Sequence, residues 1–295
     1  MTWAIDAGST EVPLIEQTIG DNLEEIVARF GDREALVVDH QGIRQTWNEF
    51  NASVNAVAKG LMAYGIGQGD RVGMWSPNYA EWVYVQFATA KIGAIQVNIN
   101  PAYRTSELEY AMNQSGCKML VTRSEYLTSA YQDMVEQVRP NCPDLTCVVY
   151  FDTNDWADLL AAGESVSGQD LSARMASLSQ NDDINIQYTS GTTGFPKGAT
   201  LSHRAILNDA KFVGMMCDYD ETDRVAIPVP FYHCFGMVMG NLCCAVFGAT
   251  MVIPCPTFDP AAVLRVVEAE RCTSLYGVPT MFIAELGHTD LGTRD

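Results

Sequence analysis

The chain has 295 residues, of which 47% are hydrophobic, enough to bury a sizeable core and to exclude a disordered linker. At about 150 residues per domain, this length suggests two domains. It carries 18 Lys+Arg against 36 Asp+Glu, a net charge of -18; such a surface repels a nucleic-acid backbone but still permits a small anion in a local cradle.

In chain order, Thr46 and Glu49 read as a capping box, continued by Phe50, Val54, Val57 and Leu61 on one helical stripe. Gly65, Gly67 and Gly69 mark a turn into a strand over Arg71–Trp75. A helix over residues 79–92 leads to a strand over Ile95–Ile99, stopped by Pro101. Ser106 to Glu109 opens another helix that Gly116 closes, and residues 119–122 and 147–150 repeat the strand signal. Residues 151–183 are polar and turn-rich and form the best boundary candidate. Beyond them, residues 184–189 read as a strand, then a Gly/Thr loop, then a helix from His203 with Ser202 as its N-cap. Asp259 caps a helix starting at Pro260, and residues 274–276 read as a strand. This alternation predicts an α/β fold of parallel sheets covered by helices on both faces. The division it suggests is a first α/β subdomain over 1–180 and a second over 181–295. No internal repeat is evident.

Residues 225–258 contain no Asp, Glu, Lys or Arg, long enough on paper for a membrane span. Pro228, Pro230, Pro254 and Pro256 punctuate the stretch, and Gly236, Gly240, Asn241 and Gly248 interrupt it. A buried strand over 225–229, a buried helix over 235–247 and a second strand over 249–253 fit it better. The nine cysteines form no paired C-x-x-C framework, so neither zinc nor a disulfide scaffold is expected. The first 28 residues contain no Lys or Arg, and the start has no basic or apolar leader region. With reduced thiols, this points to the cytoplasm.

The chemistry concentrates in Tyr188-Thr-Ser-Gly-Thr-Thr-Gly-Phe-Pro-Lys-Gly198. Gly191 and Gly194 let backbone approach a phosphate, and successive N–H groups there can form an anion nest. Thr189, Ser190, Thr192 and Thr193 add hydroxyl donors, and Lys197 adds a charge-assisted contact. The pattern is not a Walker A loop, because Pro196 stands where its second glycine would be. Gly65, Gly67 and Gly69 do not make a dinucleotide fingerprint either, since the third glycine comes one residue early and a strand follows. A polar flexible loop explains the glycines, but not the hydroxyls, the lysine and the preceding strand together.

This motif resembles the phosphate-loop signature of the AMP-forming acyl-CoA synthetases, a branch of the adenylate-forming enzymes. Residues 69–78, 93–101, 201–204, 230–236 and 276–282 look like further landmarks of that family, most similar to its medium- to long-chain fatty-acid branch. The resemblance implies a two-step ligase. A carboxylate attacks the α-phosphate of ATP to give acyl-AMP and pyrophosphate, and coenzyme A then takes the acyl group. Thr189, Ser190, Gly191, Thr192, Thr193, Gly194 and Lys197 would hold the β- and γ-phosphates, with Mg²⁺ sharing their charge.

By the same resemblance, Phe231, Tyr232, His233, Phe235 and Gly236 would wall the acyl pocket and thioester tunnel. A lone histidine in an apolar run is commonly a core residue; the resemblance favours the pocket for His233, without a general-base role. Met237, Met239 and Gly240 suit either an acyl channel or plain core. Family members also carry a Tyr-Gly-x-Thr-Glu segment, a ribose-binding aspartate and a C-terminal domain with a catalytic lysine, none of which is found here. The expectation is therefore an N-terminal portion, inactive alone, with no complete catalytic set and no protein-held metal. Amino-acid adenylation and a non-catalytic acyl- or nucleotide-binding role are the alternatives.

Overall fold

The computed structural model describes residues 10–189 and 196–294. Eleven strands are present among them: β1 (Glu34–Val38), β2 (Ile43–Thr46), β3 (Arg71–Trp75), β4 (Ile95–Ile99), β5 (Cys117–Thr122), β6 (Cys147–Tyr150), β7 (Asp183–Thr189), β8 (Lys197–Ser202), β9 (Arg224–Ala226), β10 (Thr250–Ile253) and β11 (Ser274–Leu275). They form a six-stranded sheet in the order β6-β5-β3-β4-β7-β8 and a five-stranded sheet in the order β11-β9-β10-β1-β2. All pairings are parallel except β1–β2 and β7–β8, each an antiparallel edge. The α/β expectation holds. Sheet membership cuts across residue 180, however: β1 and β2 join the late strands, and β7 and β8 join the early ones.

Local chemistry explains most elements. The Thr46 hydroxyl accepts from the Glu49 N–H and the Glu49 carboxylate accepts from the Thr46 N–H, closing the capping box of the helix Trp47–Ala63. Ser202 accepts from Ala205 N–H and Asp259 from the N–H groups of Ala261 and Ala262, so both sequence-assigned caps are in place. The helix Ala80–Ile92 is buried along nearly its whole length and packs on β3, β4 and the helices Ile19–Phe30, Trp47–Ala63 and Gly168–Ala176. Its hydrophobicity is spread all round, as a helix enclosed on every side requires.

Several expectations need correction. Residues 151–183, read as polar and turn-rich, hold the helices Asn154–Gly163 and Gly168–Ala176. The first packs on Trp47–Ala63 through two glycines; a Cβ on Gly163 would lie 2.7 Å from the Gly60 nitrogen. Close backbone contact, invisible to a composition count, makes that pairing. The helix expected at Ser106 starts at Thr105, with Glu107 accepting from the Arg104 N–H. The strand expected over 225–229 is only Arg224–Ala226, because Pro228 and Pro230 cannot donate to a ladder. The expected helix over 235–247 begins as a π-helix, Phe235–Leu242, and becomes α-helical only over Cys243–Phe247. No helix among the described residues is long and apolar enough to cross a membrane.

Candidate functional site

The candidate loop joins β7 to β8, so its geometry follows from strand alternation. Successive side chains of β7 point to opposite faces. Ile186 and Tyr188 pack on the apolar cluster that includes Val97, Ile99, Leu108 and Met112. Tyr188 donates to the Ala111 carbonyl at 3.0 Å, and burial pushes its phenol up to about 12, which keeps that proton in place. Asn185, Gln187 and Thr189 therefore share the opposite face. Thr189 and Lys197 are register partners in the antiparallel pair, which puts the Lys197 side chain on that same face. Both are exposed, and the Thr189 hydroxyl donates to the Lys197 carbonyl at 3.4 Å. Tyr110 donates to the Pro196 carbonyl at 3.1 Å and so pins the start of β8. Ser190, Gly191, Thr192, Thr193 and Gly194 lie outside the described residues.

The face shared by Thr189 and Lys197 carries a buried amide ladder. Gln96 and Asn98 on β4 stand beside Asn185 and Gln187 on β7, all four at most 5% exposed. Gln96 and Asn185 both donate to the Asn98 Oδ1, at 2.9 and 3.0 Å, and Asn98 donates to the Gln187 Oε1 at 3.1 Å. The ladder ends on the segment expected to wall the acyl pocket. Gln187 Nε2 donates to the Tyr232 carbonyl at 2.5 Å, and Cys234 Sγ lies 3.6 Å from Gln187 Oε1. Burial holds the Cys234 thiol above its ordinary range, so it stays protonated.

Further amides hold the two ends of that segment. Asn78 donates to the Val229 carbonyl and accepts from the Phe231 N–H, both at 2.9 Å, spanning Pro230, which has no N–H to offer. Gln86 donates to the Met237 carbonyl inside the π-helix, and Asn241 donates to Gln86, each at 3.1 Å. A π-helix is wider and less stable than an α-helix and recurs at functional sites.

The five pocket candidates fall in different environments. His233 is exposed, which excludes the core reading for it. Tyr232 and Phe235 are half-buried, and the Phe235 ring lies 5.3 Å from Tyr276. Phe231 is fully buried against Trp82, at 5.4 Å between rings, and belongs to the core. Gly236 is buried, and a Cβ there would lie 2.5 Å from the Pro230 carbonyl oxygen, so the turn itself demands glycine. Met237 is buried beside the Asn98 amide, while Met239 is half-buried.

Gln86 and Gln187 were not singled out from sequence; Asn241 was read only as an interruption of the apolar stretch, and Asn78 and Asn98 only as parts of the landmarks 69–78 and 93–101. The signal was present: Gln96-x-Asn98 and Asn185-x-Gln187 alternate polar with apolar residues in strands flanked by helical patterns, where a parallel sheet ordinarily buries apolar side chains on both faces. Among the described residues no group of three His, Cys, Asp or Glu side chains is placed to hold a metal ion. All nine cysteines are free thiols.

Residues 23–294 match the family described as AMP-binding enzyme. The chain is 42% identical over 308 residues to the medium-chain acyl-CoA ligase ACSF2, mitochondrial, of Danio rerio, covering 98% of this chain and 51% of that protein. Its fold is similar to that of the inhibitor-bound N-terminal domain of FACL13 from Mycobacterium tuberculosis, with a TM-score of 0.83, 25% identity and coverage of 95% of this chain and 67% of that one. The ATP-bound structure of MatB from Rhodopseudomonas palustris shares the fold at a TM-score of 0.74 and 24% identity, over 93% of this chain and 52% of that one. The chain spans about half the length of the curated relatives it matches.

Proposed function

This chain belongs to the AMP-binding enzyme family, and from that premise we propose that it supplies the phosphate-binding and acyl-side surfaces of an ATP-dependent acid–thiol ligase. The substrate is a medium- to long-chain fatty acid, converted first to acyl-AMP with release of pyrophosphate and then to acyl-CoA. The single observation that carries the reading is the shared face of β7 and β8: Thr189 and Lys197 project from it, and the Tyr232–His233 segment is bonded to it through Gln187.

On this reading Thr189 and Lys197, with Ser190, Gly191, Thr192, Thr193 and Gly194 between them, grip the β- and γ-phosphates. Lys197 offsets negative charge that a chain of net charge -18 otherwise repels. Mg²⁺ enters with the triphosphate rather than on a protein-built site. Tyr232, His233 and Phe235 flank the acyl carboxylate and, later, coenzyme A. Phe231 and Gly236 act beneath them, as floor and as turn. What the residues contribute is alignment of carboxylate with α-phosphate and neutralisation of charge, with no covalent step on the protein.

We read the compartment as cytoplasm from the free thiols; the word mitochondrial belongs to the relatives' names. The test is ATP–pyrophosphate exchange by a protein that continues residues 1–295 to the full length of the relatives. Exchange driven by fatty acids supports the proposal. Exchange driven by amino acids instead overturns the acyl assignment, and binding without any exchange overturns the ligase.

A further inference from the structure

We infer that Gln187 is a positioning residue whose side-chain amide fixes the Tyr232 carbonyl and thereby sets the acyl-side segment against the phosphate hairpin. The inference deepens the proposed function and rests on it for its catalytic half. Its structural half stands on bonds that need no ligand.

Gln187 precedes Thr189 by two residues on one strand face, so about 7 Å separates the two along β7. The Tyr232 carbonyl it holds belongs to the residue just before exposed His233. The backbone turns of that segment use other acceptors: His233 N–H donates to Pro230, and the N–H groups of Gly236 and Met237 both donate to His233. The Tyr232 carbonyl is taken by side chains, Gln187 at 2.5 Å and Asn98 at 3.4 Å.

The link also crosses between sheets. β7 lies in the six-stranded sheet, whereas the Tyr232 segment follows β9 of the five-stranded sheet. Two bodies that carry opposite halves of a reaction centre are therefore joined at the centre itself by side-chain amides, of which Gln187 makes the shortest bond and Asn98 a longer one. The Gln187 amide has little freedom, because Asn98 holds its oxygen and is in turn held by Gln96 and Asn185. Buried amides linked in series orient one another, and breaking one leaves the rest under-satisfied. The Asn185 and Gln96 side-chain oxygens are buried without partners, so the ladder is already under-satisfied, and losing the Gln187 amide would take an acceptor from Asn98 as well. A catalyst that works by alignment loses rate when its two halves shift by about 1 Å.

Gln187→Met keeps the length of the side chain and removes its bonds with the Tyr232 carbonyl, the Asn98 amide and the Cys234 thiol. The first readout is the alkylation rate of Cys234 in this chain, resolved by peptide mass spectrometry, with exposed Cys217 as internal reference. Cys234 is half-buried against the Gln187 amide, so loosening the segment should speed its alkylation at least fivefold while Cys217 is unchanged. The second readout is adenylation by the full-length protein, where kcat should fall at least tenfold with the KM for ATP within twofold of the parent.

Unchanged Cys234 reactivity overturns the inference, as does faster alkylation with unaltered kcat. If the parent protein shows no adenylation at all, the proposed function has failed, and the alkylation readout alone decides whether Gln187 holds the segment. Gln187→Asn covers the case in which the methionine variant does not fold: an amide one methylene short should give an intermediate alkylation rate, and a parental rate overturns the inference.

Discussion

Replacing Gly236 by alanine puts one methyl group where the structure has no room. An ideal Cβ there lies 2.5 Å from the Pro230 oxygen, 2.7 Å from the Pro230 carbon and 3.0 Å from the Phe231 Cα. All three are main-chain atoms, held by the Asn78 bonds to Val229 and Phe231, so no flexible side chain can yield. Overpacking of this kind costs about 1–3 kcal/mol. Because rigid main chain is met, the upper part of that range, about 2–3 kcal/mol, applies, and the about 0.5–1 kcal/mol gained by replacing a helical glycine leaves a net loss of about 1–2.5 kcal/mol. The assay is urea unfolding, with Gly168→Ala as control, because a Cβ at Gly168 meets nothing within 4 Å. Gly168→Ala should be neutral or stabilising. A Gly236→Ala midpoint equal to the parent's would show that the 230–236 turn is not fixed as described, and with it the placement of Tyr232 and His233.

Three other outcomes follow from particular residues. Lys91 is fully buried, ion-paired with Glu24 and bonded to Asn51 at 2.6 Å and Asn55 at 2.7 Å, whereas Glu24 is half-exposed. Lys91→Met should therefore cost little, while Glu24→Ala, which leaves a buried cation with only its two amide acceptors, should cost more, about 1–3 kcal/mol; the reverse order in thermal unfolding would refute this. Burial pushes His203 down to about 4 from an ordinary 6.5, with its Nδ1 accepting from the Ile19 N–H. The unfolded chain then binds the extra proton between those values, so this stability is complete above about pH 6.5 and lost as pH falls toward 4, a swing of order 3 kcal/mol. His203→Asn, which retains an acceptor, should flatten the fall between pH 7 and 5, leaving the share of His40, also lowered to about 4 by burial; an unaltered slope refutes it. Lys197→Ala in a full-length protein should slow adenylation at least tenfold yet spare thioester formation from supplied acyl-AMP; equal loss in both steps would point to misfolding.

Much of this was legible because local rules dominate where they were applied. Caps at Thr46, Ser202 and Asp259 and strands over Arg71–Trp75 and Ile95–Ile99 are set by neighbours within a few residues. Pairing across long separations was not legible: nothing near Glu34–Val38 announces that it will lie beside Thr250–Ile253. The hairpin β7–β8 was read as a strand and a loop, because β8 is a short antiparallel edge with little apolar content. The amide ladder was overlooked for a related reason. Its members sit at ordinary surface-like alternation, and only the arrival of residues 229–241 from the other sheet buries them. The π-helix has no signal of its own, since its sequence suits an α-helix equally well.

The central claim is that ATP phosphates meet the β7–β8 hairpin at Lys197. An ATP derivative bearing a reactive acyl phosphate transfers its tag to a lysine within reach of the terminal phosphates, and the chain offers Lys59, Lys91, Lys118, Lys197 and Lys211 to compare. Peptide-resolved labelling should fall on Lys197 and be suppressed by millimolar ATP and by pyrophosphate, with Lys59, Lys118 and Lys211 weakly labelled and insensitive to both. Labelling of Lys197 no stronger than theirs, or unaffected by either competitor, would contradict the account.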